Sequence, residues 1–182
     1  MNMERKRLLI LGSGGYGRVV EDIASQLGRY DKILFLDDAG GEEVCGACSD
    51  YPDYIDDCTE IYPAFGNNEL RKQWLEKLTE VGAEIPLLIH PTAYVSPTAQ
   101  VKRGTIVLPK AVVNSYTVVE QGCILNIGCI IDHNCVIGAG VHVCPGVVIK
   151  ADNHIPECLK IESGTVIQNR TYRESREDGK SD

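Results

Sequence analysis

Two histidines stand nine residues apart in the stretch CIIDHNCVIGAGVH, residues 129–142, inside a run of isoleucine, valine and cysteine. Imidazole is the side chain best suited to take a proton near neutral pH, and it works best with a hydrogen-bonding partner on its second nitrogen. Asp132 and Asn134 flank His133 and are the candidates for that partner. A second chemistry-bearing group is the turn GSGGYG, residues 12–17. Its four glycines, Gly12, Gly14, Gly15 and Gly17, let a backbone approach a ligand closely, and a helix starting there aims unpaired N–H groups at an anion. Phosphate or pyrophosphate is the natural occupant. The pattern is looser than the strict dinucleotide fingerprint, and such turns also simply close a strand–helix unit. Asp37 and Asp38 follow the next apolar run. They either accept hydrogen bonds from a ribose, a base or an amino sugar, or serve as caps and loop charges. Cys45 and Cys48 have redox or half-zinc spacing, but no second pair completes a four-ligand set. No metal is expected, and both are read as loop cysteines.

The elements that carry these groups fall into two halves. RLLILG reads as a buried parallel strand, and GSGGYGRVVEDIASQLG as a turn and helix with Val19, Val20, Ile23, Ala24 and Leu27 at helical spacing. KILFLDD is a second strand, and PAFGNNELRKQWLEKLTEVG a second turn and helix with Leu70, Trp74, Leu75, Leu78 and Val81 on one face. IPLLIH reads as a further strand. Strand, glycine turn, helix and strand in that order make a small open parallel sheet.

The second half repeats every six residues. Stepping from Ile89 through Val95 and Val101 to Ile167 meets fourteen positions, all of them aliphatic. Four residues after each lies a second column, from Ala93 to Thr171, in which most side chains are small. A period of six fits neither an α-helix nor a hairpin sheet. It fits a parallel β-helix with three hexads per triangular coil, so fourteen hexads give between four and five coils. Coils stack at the strand spacing, roughly 4.8 Å. Cys123, Cys129 and Cys135 belong to the small column and are read as core packing. On the residues alone, His133 is either a base or a polar corner of this repeat.

Composition narrows the partners. A net charge of −8 and a pI near 5.0 argue against nucleic acid or an anionic membrane, both of which demand a basic face. The basic run Arg5-Lys6-Arg7 precedes only four apolar residues, too few for a signal peptide or a membrane span. The expectation is a soluble cytoplasmic protein whose eight cysteines stay reduced. Residues 1–86 are expected to form a Rossmann-like domain and 87–172 the β-helix, with 173–182 a polar tail without fixed structure.

ILGSGGYGRVV, FLDD, AFGNNELR, LIHPTAYVSPTA, ILNIGCIIDHNCVIG and VHVCPG, in that order, resemble the sugar O-acyltransferase family. That family contains sialic acid O-acetyltransferases (NeuD-like) and bacterial UDP-amino-sugar N-acetyltransferases. The resemblance covers residues 7 to about 146. It implies a Rossmann-like sugar-nucleotide domain, a left-handed β-helix that takes acetyl-CoA as acyl donor, and a homotrimer with active sites between adjacent β-helices. It also implies a sugar-nucleotide pocket at Gly12, Gly14, Gly15, Asp37, Asp38, Gly66, Asn67 and Arg71, with Tyr16 and Gly17 of the same turn. His133 falls on the family's catalytic histidine, while Asn126, His142 and Gly146 fall near the acyl donor. The chain departs from the family at Asn134, where an acid is usual. It departs again at Ala151, where a glycine commonly meets the thioester. It departs a third time in its hexads, which stop near Thr171 where relatives continue for about two more coils. The implied activity is acetyl transfer to a nucleotide-linked amino sugar or a sialic-acid-like sugar. The alternative is a non-catalytic trimeric sugar-nucleotide-binding protein whose β-helix serves assembly.

Overall fold

The two sequence periods build two structures that share an apolar core. The computed structural model describes residues 6–173. Its N-terminal part is a parallel sheet of β1 (Lys6–Leu11), β2 (Tyr30–Leu36) and β3 (Thr59–Pro63), with β1 in the middle. Helix α1 (Gly15–Gln26) connects β1 to β2 and buries Gly17, Val20, Ile23 and Ala24. Helix α2 (Asn68–Glu80) follows β3 and buries Arg71, Leu75 and Leu78. The strand β3 is absent from the sequence reading because Thr59 and Glu60 interrupt its apolar run. All five of its residues are nevertheless buried, and Glu60 is held there by Lys6, Arg29 and Tyr30.

From residue 88 onward the chain is a left-handed parallel β-helix. Fourteen two-residue strands, β4 (Leu88–Ile89) to β17 (Val166–Ile167), follow one another every six residues. Each pairs with the strand eighteen residues away, as Ile124 with His142 and Leu125 with Val143. They form three sheets, of five, five and four strands. IPLLIH therefore does not join the N-terminal sheet: its Leu88–Ile89 opens the first coil, opposite Ile106–Val107. The aliphatic column points inward and is buried from Val107 to Ile167. Ile89, Val95 and Val101, at the open end of the prism, are half-buried. Cys123, Cys129 and Cys135 lie fully buried in the small column, and burial pushes the first two thiols up to about 12. They are packing groups. Of the tail expected over 173–182, only Arg173 falls among the described residues.

The two parts are joined on one sheet of the prism. Leu88, Ile106 and Ile124 point outward from that sheet, yet all three are buried against β1, α1 and β3 through Leu8, Ile10, Val20, Ile23 and Tyr62. Each such aliphatic side chain contributes about 2 kcal/mol on burial. The outward column of this sheet continues past the covered region as His142 and Lys160.

Candidate active site

The glycine turn works through its backbone. Gly12 sits at φ +100, a conformation few side chains adopt. A Cβ on Gly17 would lie 2.0 Å from the Gly12 carbonyl oxygen, so close packing of α1 against the end of β1 requires a glycine there. Gly14 is the N-cap of α1 and offers no side-chain cap, and the first turn carries no acid. The N–H groups of that turn are therefore open to an anion. Asn67 caps α2, its Oδ1 accepting the Leu70 N–H at 2.9 Å. Both helix N-termini border one cleft of about 500 Å³. Its walls are Gly12, Gly14, Gly15, Tyr16, Asp37, Asp38, Gly66 and Asn67, with Cys48, Ala64, Phe65 and Leu70. Eight of the ten residues expected for a sugar-nucleotide pocket are thus brought together.

Asp37 holds the turn itself. Its Oδ2 accepts the Ser13 N–H at 2.6 Å and the Ser13 hydroxyl at 2.8 Å, and its Oδ1 accepts the Ala39 N–H at 2.9 Å. These donors keep the carboxyl below its usual range. Asp38 is exposed and accepts the Cys48 N–H at 2.8 Å. The Cys48 thiol is itself buried, donates to the Leu36 carbonyl at 3.4 Å, is pushed up to about 11 by burial, and forms part of the cleft wall. Two features of the cleft escaped sequence reasoning. Phe65 stacks on Trp74, with ring centroids 5.7 Å apart, and Tyr16 shares a 2.8 Å hydrogen bond with the Tyr62 hydroxyl.

Arg71 corrects the sequence reading. It does not face the cleft: it is completely buried, and its guanidinium donates to four acceptors of the protein itself. These are the carbonyls of Gly122 (2.8 Å), Phe65 (2.8 Å) and Gly140 (2.7 Å) and Oδ1 of Asn68 (2.8 Å). Gly17 is buried and its Cα does not line the cleft, but its N–H belongs to the open first turn of α1.

On the β-helix, Asp132, His133 and Asn134 form a corner between β11 (Ile130–Ile131) and β12 (Val136–Ile137). His133 and Asn134 are exposed, and the Asn134 amide nitrogen lies 3.1 Å from His133 Nδ1. With the amide turned over, its oxygen accepts the Nδ1 proton and leaves Nε2 able to take another. Asp132 does not hold the ring. Its Oδ1 accepts from Asn114 Nδ2 at 3.1 Å and from the His133 N–H at 2.8 Å, which fixes the corner's backbone. One coil further, Ala151 is buried directly beside His133 in the stack. At the equivalent turns, Asn114, Asn126 and Asp132 accept the N–H of the next residue. Lys150 carries no acceptor for the Ala151 N–H.

His142 opens β13 (His142–Val143), and its Nε2 lies 3.2 Å from the Asn126 amide nitrogen. Burial, then the charges of Arg71 and Lys160, push its imidazole down to about 4, against the pull of Glu162. His142 is therefore neutral at physiological pH, with Nε2 accepting from Asn126 and Nδ1–H left to donate. Gly146 is exposed at the next turn and gives its N–H to the Ile127 carbonyl. The expected residues thus fall into three groups: the cleft, the His133 corner, and the Asn126–His142 pair. The cleft and His142 belong to the sheet β4–β7–β10–β13–β16, while His133 sits at the corner between the other two sheets. In a three-sided coil that corner is opposite. One chain does not bring His133 to its own cleft. Among the described residues no cluster of histidine, cysteine or acid is arranged to hold a metal.

Residues 7–78 match the PglD N-terminal domain family. The chain is similar to the acetyltransferase domain of PglB from Neisseria gonorrhoeae FA1090, with 35% identity, a TM-score of 0.87, and coverage of 91% of this chain and 84% of that one. The same domain has been solved in complex with acetyl coenzyme A. A UDP-N-acetylbacillosamine N-acetyltransferase of Bacillus subtilis (strain 168) is 30% identical over 114 residues, covering 57% of this chain. The chain spans about half the length, 51%, of that curated relative. PerB from Caulobacter crescentus, solved with CoA and GDP-perosamine, shares the fold at 23% identity and a TM-score of 0.67, over 88% of this chain and 91% of that one.

Proposed function

This chain belongs to the bacterial sugar N-acetyltransferase family, and on that premise we propose that it moves an acetyl group from acetyl-CoA to the amine of a nucleotide-linked amino sugar, in the building of a surface glycan. The observation that carries the reading is the cleft flanked by two helix N-termini. Such a site suits the pyrophosphate of a sugar nucleotide. PerB is described with GDP-perosamine and the PglB domain with acetyl coenzyme A, which supports both ligands here.

The residues then divide the work. The acceptor amine attacks the thioester carbon, a C–N bond forms, and the C–S bond breaks. His133 takes the amine proton on Nε2 and returns it to the departing CoA thiolate, so protons balance over the cycle. Asn134 orients the ring. The unclaimed Ala151 N–H, one coil away, supplies a donor to the developing oxyanion, a contribution worth roughly 3–4 kcal/mol in comparable enzymes. His142 stays neutral and donates a hydrogen bond to the acyl donor beside Asn126 and Gly146.

His133 faces away from its own cleft, so the reaction needs a second copy, and a homotrimer supplies one. The outward column Tyr94, Val112, Ile130, Val148 and Val166 is apolar throughout. Tyr94, Ile130 and Val166 are 54%, 42% and 50% exposed. A stripe of that kind suits side-by-side packing of prisms. Residues 1–86 act as the sugar-nucleotide domain and 87–172 as the catalytic β-helix. No helix among the described residues is long and apolar enough to cross a membrane. The cytoplasm, where acetyl-CoA and sugar nucleotides are made, is the proposed site of action.

The test mixes purified protein with acetyl-CoA and a panel of UDP- and GDP-linked amino sugars and sialic acid, following free thiol. Thiol release with an amino-sugar nucleotide is expected. Release with sialic acid alone would move the reaction to O-acetylation. No release, with no calorimetric binding of acetyl-CoA, would leave a sugar-nucleotide-binding protein.

A further inference from the structure

Arg71 is the largest side chain that is completely buried, and among the described residues it has no carboxylate partner. A guanidinium buried without a counter-charge is a poor way to fill space, because an apolar side chain of similar volume is as stable or more so. What distinguishes Arg71 is what it joins. Phe65, whose carbonyl it holds, is a wall of the cleft, and Asn68, whose amide it holds, begins the helix that Asn67 caps. Gly122 and Gly140, whose carbonyls it also holds, are the same corner of two successive coils, and Gly140 lies two residues before His142. Asn68 adds a bond of its own from Nδ2 to the Cys158 carbonyl, at that corner of the next coil. One planar fork therefore spans the cleft floor and the coil that carries His142.

We propose that Arg71 is a positioning residue of acetyl transfer, locking the sugar-nucleotide cleft to the β-helix so that the bound amine meets the acyl donor beside His142. The inference rests on the acetyltransferase reading above. Its charge has a second consequence. The charged groups facing His142 are Arg71 from α2, Lys160 from the paired strand β16 (Lys160–Ile161) and Glu162 beyond it, and Arg71 is the largest charge acting on the ring. Geometry and charge are separable, because lysine keeps the charge but cannot reproduce a four-acceptor fork.

The experiment compares wild type, Arg71→Lys and Arg71→Met by thermal melting, UDP calorimetry, acetyl-transfer kinetics and NMR titration of His142. Arg71→Lys is expected to fold and to bind UDP within about threefold of wild type. Its kcat should fall by about 100-fold, the scale of a 1 Å misplacement, with KM for the sugar nucleotide little changed. Its His142 titration should stay where it is in wild type, whereas Arg71→Met should move that titration upward. Wild-type kcat in Arg71→Lys, or a loss of kcat matched by an equal loss of UDP affinity, would overturn the proposal. Should Arg71→Met not fold, the lysine variant alone still decides. An inactive wild type overturns the acetyltransferase reading instead. The coupling is then read from the His142 resonance, which should shift on UDP binding in wild type and not in Arg71→Lys.

Discussion

At the scale of single residues, the corner Asp132-His133-Asn134 divides its roles by where each side chain points. His133 stood out in the sequence through its place in the stretch that resembles the family, since on the residues alone it was either a base or a polar corner of the repeat. Its partner did not, since adjacency cannot say which neighbour meets the ring; Asn134 does and Asp132 turns to Asn114. For the proposed base, His133→Ala should lower kcat by about 10²–10⁴ with little change in acetyl-CoA affinity. Asn134→Leu should lose about tenfold and Asn134→Asp should equal or exceed wild type, by the same assay. An Asn134→Leu enzyme at full rate would show that the ring needs no orienting group. His142 makes a different prediction. It takes up its proton near 6.5 when unfolded and only near about 4 when folded, so between those values the unfolded chain binds more protons. Stability should therefore decline as pH falls through that window. Urea midpoints at pH 7 and pH 5 should converge in His142→Gln relative to wild type. An unchanged difference would assign the acid sensitivity to other groups.

At the scale of elements, the hexad was readable because the inward column admits no exception over fourteen turns and fixes the coil without any long-range knowledge. The N-terminal sheet was readable only in part. β3 carries Thr59 and Glu60 at buried positions, and a buried carboxylate held by half-exposed cations is invisible to an apolar pattern. Arg71 departs from its expected place for the converse reason: the family resemblance put it in the sugar-nucleotide pocket, whereas its position on α2 with Leu75 and Leu78 turns it into the buried face of the helix. The turn itself gives a sharp test. A methyl at Gly17 must displace either the Gly12 carbonyl or the start of α1. Gly17→Ala should lose about 3 kcal/mol of stability, as overpacked sites do, and weaken UDP binding in parallel. Gly15→Ala, where a Cβ meets no protein atom within 4 Å, should keep its stability. Equal behaviour of the two variants in melting and calorimetry would mean that the turn is not held by that contact.

At the scale of the whole molecule, the chain separates what the reaction must join. Burial of Leu88, Ile106 and Ile124 fixes the cleft to one sheet of the prism, and the hexad count puts His133 at the opposite corner. No rotamer change closes a gap that runs through a packed β-helix core, so the proposed reaction would take its cleft from one copy and its imidazole from another. Two inactive variants should then rescue each other. Gly15→Glu adds a carboxylate at the start of α1, where there is room for the side chain but where a phosphate would be repelled. His133→Ala removes the base and leaves the cleft intact. Co-refolded in equal amounts, they should form mixed trimers in which about a quarter of the sites combine an intact cleft with an intact His133, given random cyclic assembly. Acetyl transfer should return to about that fraction of the wild-type rate, while each variant alone stays silent. A mixture as inactive as its components, with mixed trimers verified by mass, would mean that cleft and base act within one chain. Ile130→Glu, on the exposed apolar column, should abolish both the rescue and the trimer band in sedimentation, because the same face that makes the oligomer then makes the site.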